Sequence, residues 1–275
     1  NDAIQVEIRN NSFTVSAGND DDICVDYTTL TGDNVLDGVG TWTSLGAAVL
    51  SDPTAYNSGV TDLIAGSNEF IWTVVRDNCT ATDNVVITSN AFNVNGGSNT
   101  AVCGDTYTLK ADAPPVGGSG IWTKTSGNGV FADETVNNTT VSGLSQGQNR
   151  LKWTVSLNNC TSYEEIIISN NTPSTPQTDG DDEVCQNTVT LTAYEPSIGT
   201  GHWSIISGTG SLIDANSLIA TANNIGVGAN VFAWKVENSG CSLATNITIT
   251  NNEVTIDAGA DQIVCTTTAQ LKAID

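Results

Sequence analysis

The chain has 275 residues and carries 30 acidic against 8 basic side chains, a formal charge of −22. Such an excess of acid excludes nucleic acid as a partner, because phosphate binding needs clustered Lys and Arg, and it excludes attraction to anionic membranes. No apolar run approaches the roughly 18 residues that a spanning helix needs. In chain order, residues 3–11 repeat the pattern of three later segments, 84–88, 165–171 and 246–252, so 1–15 reads as the closing strand of a preceding module. A full unit follows: Cys24, then Gly40-Thr41-Trp42, then Trp72, then Cys79 and an alternating run. It returns as Cys103, Trp122, Trp153, Cys160 and again as Cys185, Trp203, Trp234, Cys241. A fourth copy opens at Cys265. From Cys24 to Cys103, Cys185 and Cys265 each step is about 80 residues, the period of a string of like modules. The expected units are 16–92, 93–172 and 173–252, with 253–275 starting a fourth.

Within a unit, Tyr107-Thr108-Leu109-Lys110-Ala111 and Val189-Thr190-Leu191-Thr192-Ala193 alternate with period two, as half-buried strands do. The Gly-x-Trp run is a second strand with its Trp facing inward. The strongest pattern closes the unit. The runs 149–155 and 165–168 flank the turn at Asn158-Asn159, a β-hairpin. No segment has a helical period with caps. The chain is therefore all-β: tandem β-sandwich modules of six or seven strands, forming an elongated rod, with short linkers at 91–97, 172–177 and 253–257.

A module of about 80 residues has a modest core. The two cysteines of each copy enclose a loop of roughly 55 residues, and closing it is worth roughly 4 kcal/mol in the chain-entropy model. The expected bridges are Cys24–Cys79, Cys103–Cys160 and Cys185–Cys241, one per module, with the partner of Cys265 outside the chain. With no Cys-x-x-Cys and a single histidine, a zinc site is a poor alternative. Disulfides imply an oxidising, extracellular compartment.

No catalytic residue stands out. His202 is replaced by Thr41 and Ile121 in the other copies, and one histidine cannot supply a triad in each module. Carboxylate-pair chemistry has no acid recurring at a fixed place. Acids do gather ahead of the first cysteine, at Asp20 and Asp22 in copy one and Asp181 and Asp182 in copy three, and hard oxygens at a module junction suit weak Ca²⁺ binding. Copy two has Asn95-Gly96-Gly97-Ser98-Asn99 there, and a solvated acidic turn is the competing reading. The six tryptophans could stack on sugars, but their recurrence at two fixed places on alternating strands fits a core.

The runs 120–133, Thr140-Val141-Ser142-Gly143-Leu144, 149–155 and Asn159-Cys160-Thr161 resemble the PKD-like/Ig-like repeats of giant cell-surface adhesins of Bacteroidota. Copy one departs most, with Ser44-Leu45-Gly46-Ala47-Ala48 in place of the Ser-Gly-x-Gly turn. The resemblance implies type IX secretion, attachment at the outer membrane, and partners that include neighbouring repeats, anchoring and motility machinery, and external surfaces or polysaccharide. The function it implies is stalk and adhesive surface for attachment and gliding. The alternative is a set of discrete glycan- or calcium-dependent binding modules.

Overall fold

The computed structural model describes residues 7, 9–254, 256–265 and 267–270. All regular elements within them are strands. Module 1 contains β1 (Asp21–Ile23), β2 (Thr28–Thr29), β3 (Val39–Ser44), β4 (Val49–Leu50), β5 (Gly59–Thr61), β6 (Gly66–Arg76) and β7 (Cys79–Ser89). Module 2 contains β8 (Thr100–Val102), β9 (Tyr107–Thr108), β10 (Ser119–Ser126), β11 (Val130–Phe131), β12 (Thr140–Ser142), β13 (Gly147–Leu157) and β14 (Cys160–Asn170). Module 3 contains β15 (Asp182–Val184), β16 (Thr188–Thr192), β17 (Thr200–Ser207), β18 (Ser211–Ile213), β19 (Ile219–Asn223), β20 (Gly228–Asn238) and β21 (Cys241–Asn251).

Each module is a sandwich of a four-stranded and a three-stranded sheet. The larger sheets have the orders β1-β7-β6-β3, β10-β13-β14-β8 and β15-β21-β20-β17. The smaller ones are β2-β5-β4, β11-β12-β9 and β16-β19-β18. The long hairpin of each module forms because its first strand alternates. In β13, Asn149, Leu151, Trp153 and Val155 are buried between exposed or half-buried neighbours. The hairpin turns carry two residues of positive φ: Asp77 and Asn78, Asn158 and Asn159, Ser239 and Gly240. That is the turn whose twist matches the strands it joins.

The two tryptophans of a module are directly opposed across neighbouring strands, Trp42 with Trp72, Trp122 with Trp153 and Trp203 with Trp234. Their ring centroids are 4.9, 5.2 and 5.3 Å apart. All six are at most 2 % exposed. The glycine of the Gly-x-Trp motif lies under the second indole. A Cβ on Gly40, Gly120 or Gly201 would stand 2.2, 2.2 or 2.0 Å from that ring, so the backbone approach requires glycine.

The stretches 91–97 and 172–177, expected as linkers, pack instead as the first edge of the following sandwich. Phe92 and Val94 lie against the module 2 core, and the Asp112 amide donates to the Asn95 carbonyl at 2.9 Å. Thr178 bridges to Ala193, and the Tyr194 amide donates to the Gln177 carbonyl at 3.0 Å. Apolar side chains at alternate positions, Phe92 and Val94, make this packing favourable. The chain therefore leaves one module and enters the next almost at once. The expected closing strand within 1–15 falls largely on residues 1–6 and 8, outside the described residues. Phe13 and Val15 pack against the core of module 1.

Candidate functional site: the joints between modules

The cysteines connect modules to each other. Cys24 is bonded to Cys160 and Cys103 to Cys241, each with a Cα–Cα distance of 5.3 Å. This overturns the expected pairs Cys24–Cys79, Cys103–Cys160 and Cys185–Cys241. Strand direction explains why. β1 runs parallel to the end of β7, with Ile23 opposite Ser89, so Cys24 sits at the pole where the chain leaves module 1. Cys79 begins β7 at the other pole. A strand of 11 residues spans roughly 35 Å, whereas a disulfide joins Cα atoms no more than about 7 Å apart. The first cysteine of a module can reach only the second cysteine of the module that follows.

Both joints share one plan. The hairpin turn of the following module docks against the strand end of the preceding one. Asn158 Nδ2 donates to Asn90 Oδ1 at 3.1 Å across the first joint. Asn238 Nδ2 donates to the Asn171 carbonyl at 3.0 Å across the second. The disulfides close loops of 136 and 138 residues, for which the chain-entropy model gives about 5 kcal/mol each. Cys79, Cys185 and Cys265 are free thiols. Cys79 and Cys185 occupy the places in modules 1 and 3 that carry bonded cysteines in module 2.

The acids ahead of the first cysteine have a backbone role. Asp20 Oδ1 accepts the Val86 amide at 2.8 Å and Asp181 Oδ1 accepts the Thr248 amide at 2.7 Å. Copy two does the same with an amide side chain, Asn99 Oδ1 accepting the Ile167 amide at 2.7 Å. Each side chain extends the short parallel strand by one more bond, which explains why Asp and Asn interchange. Asp22 is exposed, and Asp182 Oδ1 accepts the Glu183 amide at 2.8 Å. Among the described residues, no three His, Cys, Asp or Glu side chains are grouped to hold a metal ion.

A set of buried residues escaped the sequence reading. Asn68, Asn149 and Asn230 are 7, 0 and 1 % exposed. The Asn149 amide donates to the carbonyls of Ser145 (2.8 Å), Gly147 (3.2 Å) and Ile168 (3.3 Å), and its oxygen accepts the amides of Ser145 and Asn128, both at 3.0 Å. One side chain thus ties two loops to the long hairpin. The signal was an inward-facing polar residue four positions before the second Trp in every copy.

His202 is half-buried on β17, opposite Lys235 on β20. A cleft of about 760 Å³ is lined by Asn10, Asn11, Ser12, Asp37, Arg76 and Asp77 at the hairpin-turn pole of module 1. Among the described residues, no helix is long and apolar enough to cross a membrane.

No family model matches the chain, and no curated protein does. Solved structures of tandem domains do. The extracellular domains 3–5 of Drosophila OTK match over 86 % of this chain and 96 % of their own at 10 % identity, with a TM-score of 0.34. The insect immune protein hemolin matches over 89 % of this chain and 75 % of its own at 11 % identity and a TM-score of 0.38. Titin domains I67–I69 match over 86 and 96 % at 11 % identity and a TM-score of 0.32. At TM-scores of 0.32 to 0.38 these likenesses carry no conclusion about this chain.

Proposed function

We propose that this chain is a repeat segment of a large secreted adhesin filament at the cell surface, serving as stalk and adhesive surface for attachment and gliding. The observation that supports it best is the pair of inter-module disulfides. They turn a string of domains into a covalently reinforced rod and require an oxidising compartment. The acidic surface and the buried tryptophans support a spacer more than a dedicated sugar platform. The sequence resemblance, most like the gliding-motility adhesin SprB, supplies the outer-membrane attachment, type IX export and motility partners in this reading. Adhesive grip would be spread over many weak contacts and multiplied by repetition.

The test is to raise antibodies to this segment and track antibody-coated beads on living source cells. Beads that bind and travel along the cell body support a moving adhesin. Beads that bind and stay still leave a static stalk and remove gliding from the reading. Discrete glycan-binding modules would instead show saturable binding by the isolated segment to polysaccharide, and calcium-dependent ones would lose their binding on chelation.

A further inference from the structure

We infer that the staples make a second covalent track through the array, so that load applied along it bypasses the backbone at each joint and is borne across single modules from pole to pole. Backbone and disulfide cross each joint in parallel. At the first joint the chain passes from Ser89, the end of β7, to Phe92 in the next core, while Cys24 is bonded to Cys160 beside it. Tension arriving at Cys24 therefore enters module 2 at Cys160, the start of β14. It leaves at Cys103, just past β8, for Cys241.

Between those two points module 2 is loaded in the direction it resists best. β8 and β14 are parallel neighbours, with Thr100, Ala101 and Val102 opposite Ile168, Ser169 and Asn170. Drawing Cys160 and Cys103 apart drags one strand lengthwise past the other, so the cross-strand bonds must break together. Bonds on either side widen the clamp. Asn99 Oδ1 accepts the Ile167 amide at 2.7 Å, Glu164 Oε2 accepts the Gly96 amide at 2.6 Å, and the Val102 carbonyl accepts the Asn171 amide at 2.9 Å. Modules 1 and 3 hold the same features: Asp20 to Val86 and Asp83 to Ala17 in the first, Asp181 to Thr248 in the third.

The connectivity also limits extension. Between Cys24 and Cys241 the path through both staples uses only the segment from Cys103 to Cys160. The rest of that stretch, about 160 residues or roughly 550 Å of extended chain, is hidden from tension while the staples hold. This property bears on the stalk reading but does not depend on gliding, and it is measured on the purified chain, so either can fail without the other.

The test is single-molecule stretching of the whole protein held by handles at its two ends, taken to full extension. Contour length at full extension reports connectivity whether or not a variant folds well. The oxidised chain should gain about 160 residues of length when a thiol reductant is added. The decisive variant removes only the first staple, with Cys24→Ser and Cys160→Ser. It should still hide the 138-residue separation between Cys103 and Cys241. Pairing within modules would leave that same variant only Cys185–Cys241, hiding roughly 55 residues of chain. Equal lengths with and without reductant, or the smaller hidden length in the variant, would overturn the inference. So would an intact oxidised chain that lets Cys24 and Cys241 separate by more than the extended length of the Cys103-to-Cys160 segment.

Discussion

The interior of a module and the joint between modules are held by different means. The interior repeats itself: two opposed tryptophans, a glycine beneath one of them and a buried asparagine, three times over. The joint repeats too, but its parts come from two copies, Cys24 and Asn90 from one and Cys160 and Asn158 from the next. A module of this size gains local stability from its own core and adds resistance to separation only through its neighbour. The difference teaches that the repeat unit of the sequence is not the mechanical unit of the molecule, which straddles two copies.

The largest break in this comparison comes from the interior. Trp153→Ala removes a fully buried indole facing Trp122 and should cost module 2 about 3–5 kcal/mol. Hydrogen exchange of β13 and β14 amides should then speed up, while β20 and β21 in module 3 keep their protection. Equal loss of protection in both modules would show that the joints couple the cores more tightly than their separate clusters suggest.

A sharper contrast lies between copies. Asn149 accepts amides from both Ser145 and Asn128, whereas Asn68 accepts only that of Ile64. Copy one lacks the Ser-Gly-x-Gly turn, and its Ser44-Leu45-Gly46 segment does not reach Asn68. Asn149→Ala leaves several buried backbone groups unpaired and should cost about 2–3 kcal/mol, with Asn68→Ala costing less. The measurement is exchange protection of the two hairpins in the two variants. An equal loss would mean that the second loop contributes nothing to the hold of Asn149.

The sandwich was legible because alternation carries it. Asn149, Leu151, Trp153 and Val155 share one face of β13, and the Asn158-Asn159 turn marks the hairpin. The cysteine pairing was not, because loop-closure entropy separates the rival partners only weakly and comparison of repeats invites bonds within them. Yet the signal was present. The second cysteine stands a full strand of 11 residues before the chain leaves the module, so it lies at the far pole. Asp20 and Asp181 drew attention as oxygen ligands, while Asn99 in copy two already pointed to a hydrogen-bonding role common to Asp and Asn.

At the joint, effects should be smaller and readable in the disulfide itself. Asn238→Ala deletes the bond to the Asn171 carbonyl, worth about 1 kcal/mol. In a defined thiol buffer the Cys103–Cys241 bond should become about fivefold easier to reduce, with Cys24–Cys160 unchanged as the internal control. The same alkylation assay should label the exposed Cys265 and, within the complete modules, Cys79 and Cys185, and leave the four bonded cysteines unlabelled in the unreduced protein. In a chain extended by one further repeat at each end, the joint rule assigns Cys79 and Cys185 partners, and their labelling should disappear.

The smallest effect concerns acid. Asp133 accepts the Thr135 hydroxyl at 2.7 Å and the Thr135 amide at 2.8 Å, and these bonds hold its carboxyl below the usual range. Asp52 is held down in the same way by Thr54 in module 1. A lowered folded-state value means that the carboxylate favours the native turn at any pH above its unfolded value, near 4, and that this contribution fades as pH falls through the lower folded value. Both groups are solvent-exposed, so neutral-pH stability should hardly register the change. The readout is the carboxyl titration itself. Thr135→Val removes the hydroxyl and should move the Asp133 midpoint upward while Asp52 titrates as before. An unmoved midpoint would assign the depression to the backbone amide alone, and with it the rigidity of the turn that presents Thr139 Oγ1 to the Asp133 amide at 3.0 Å.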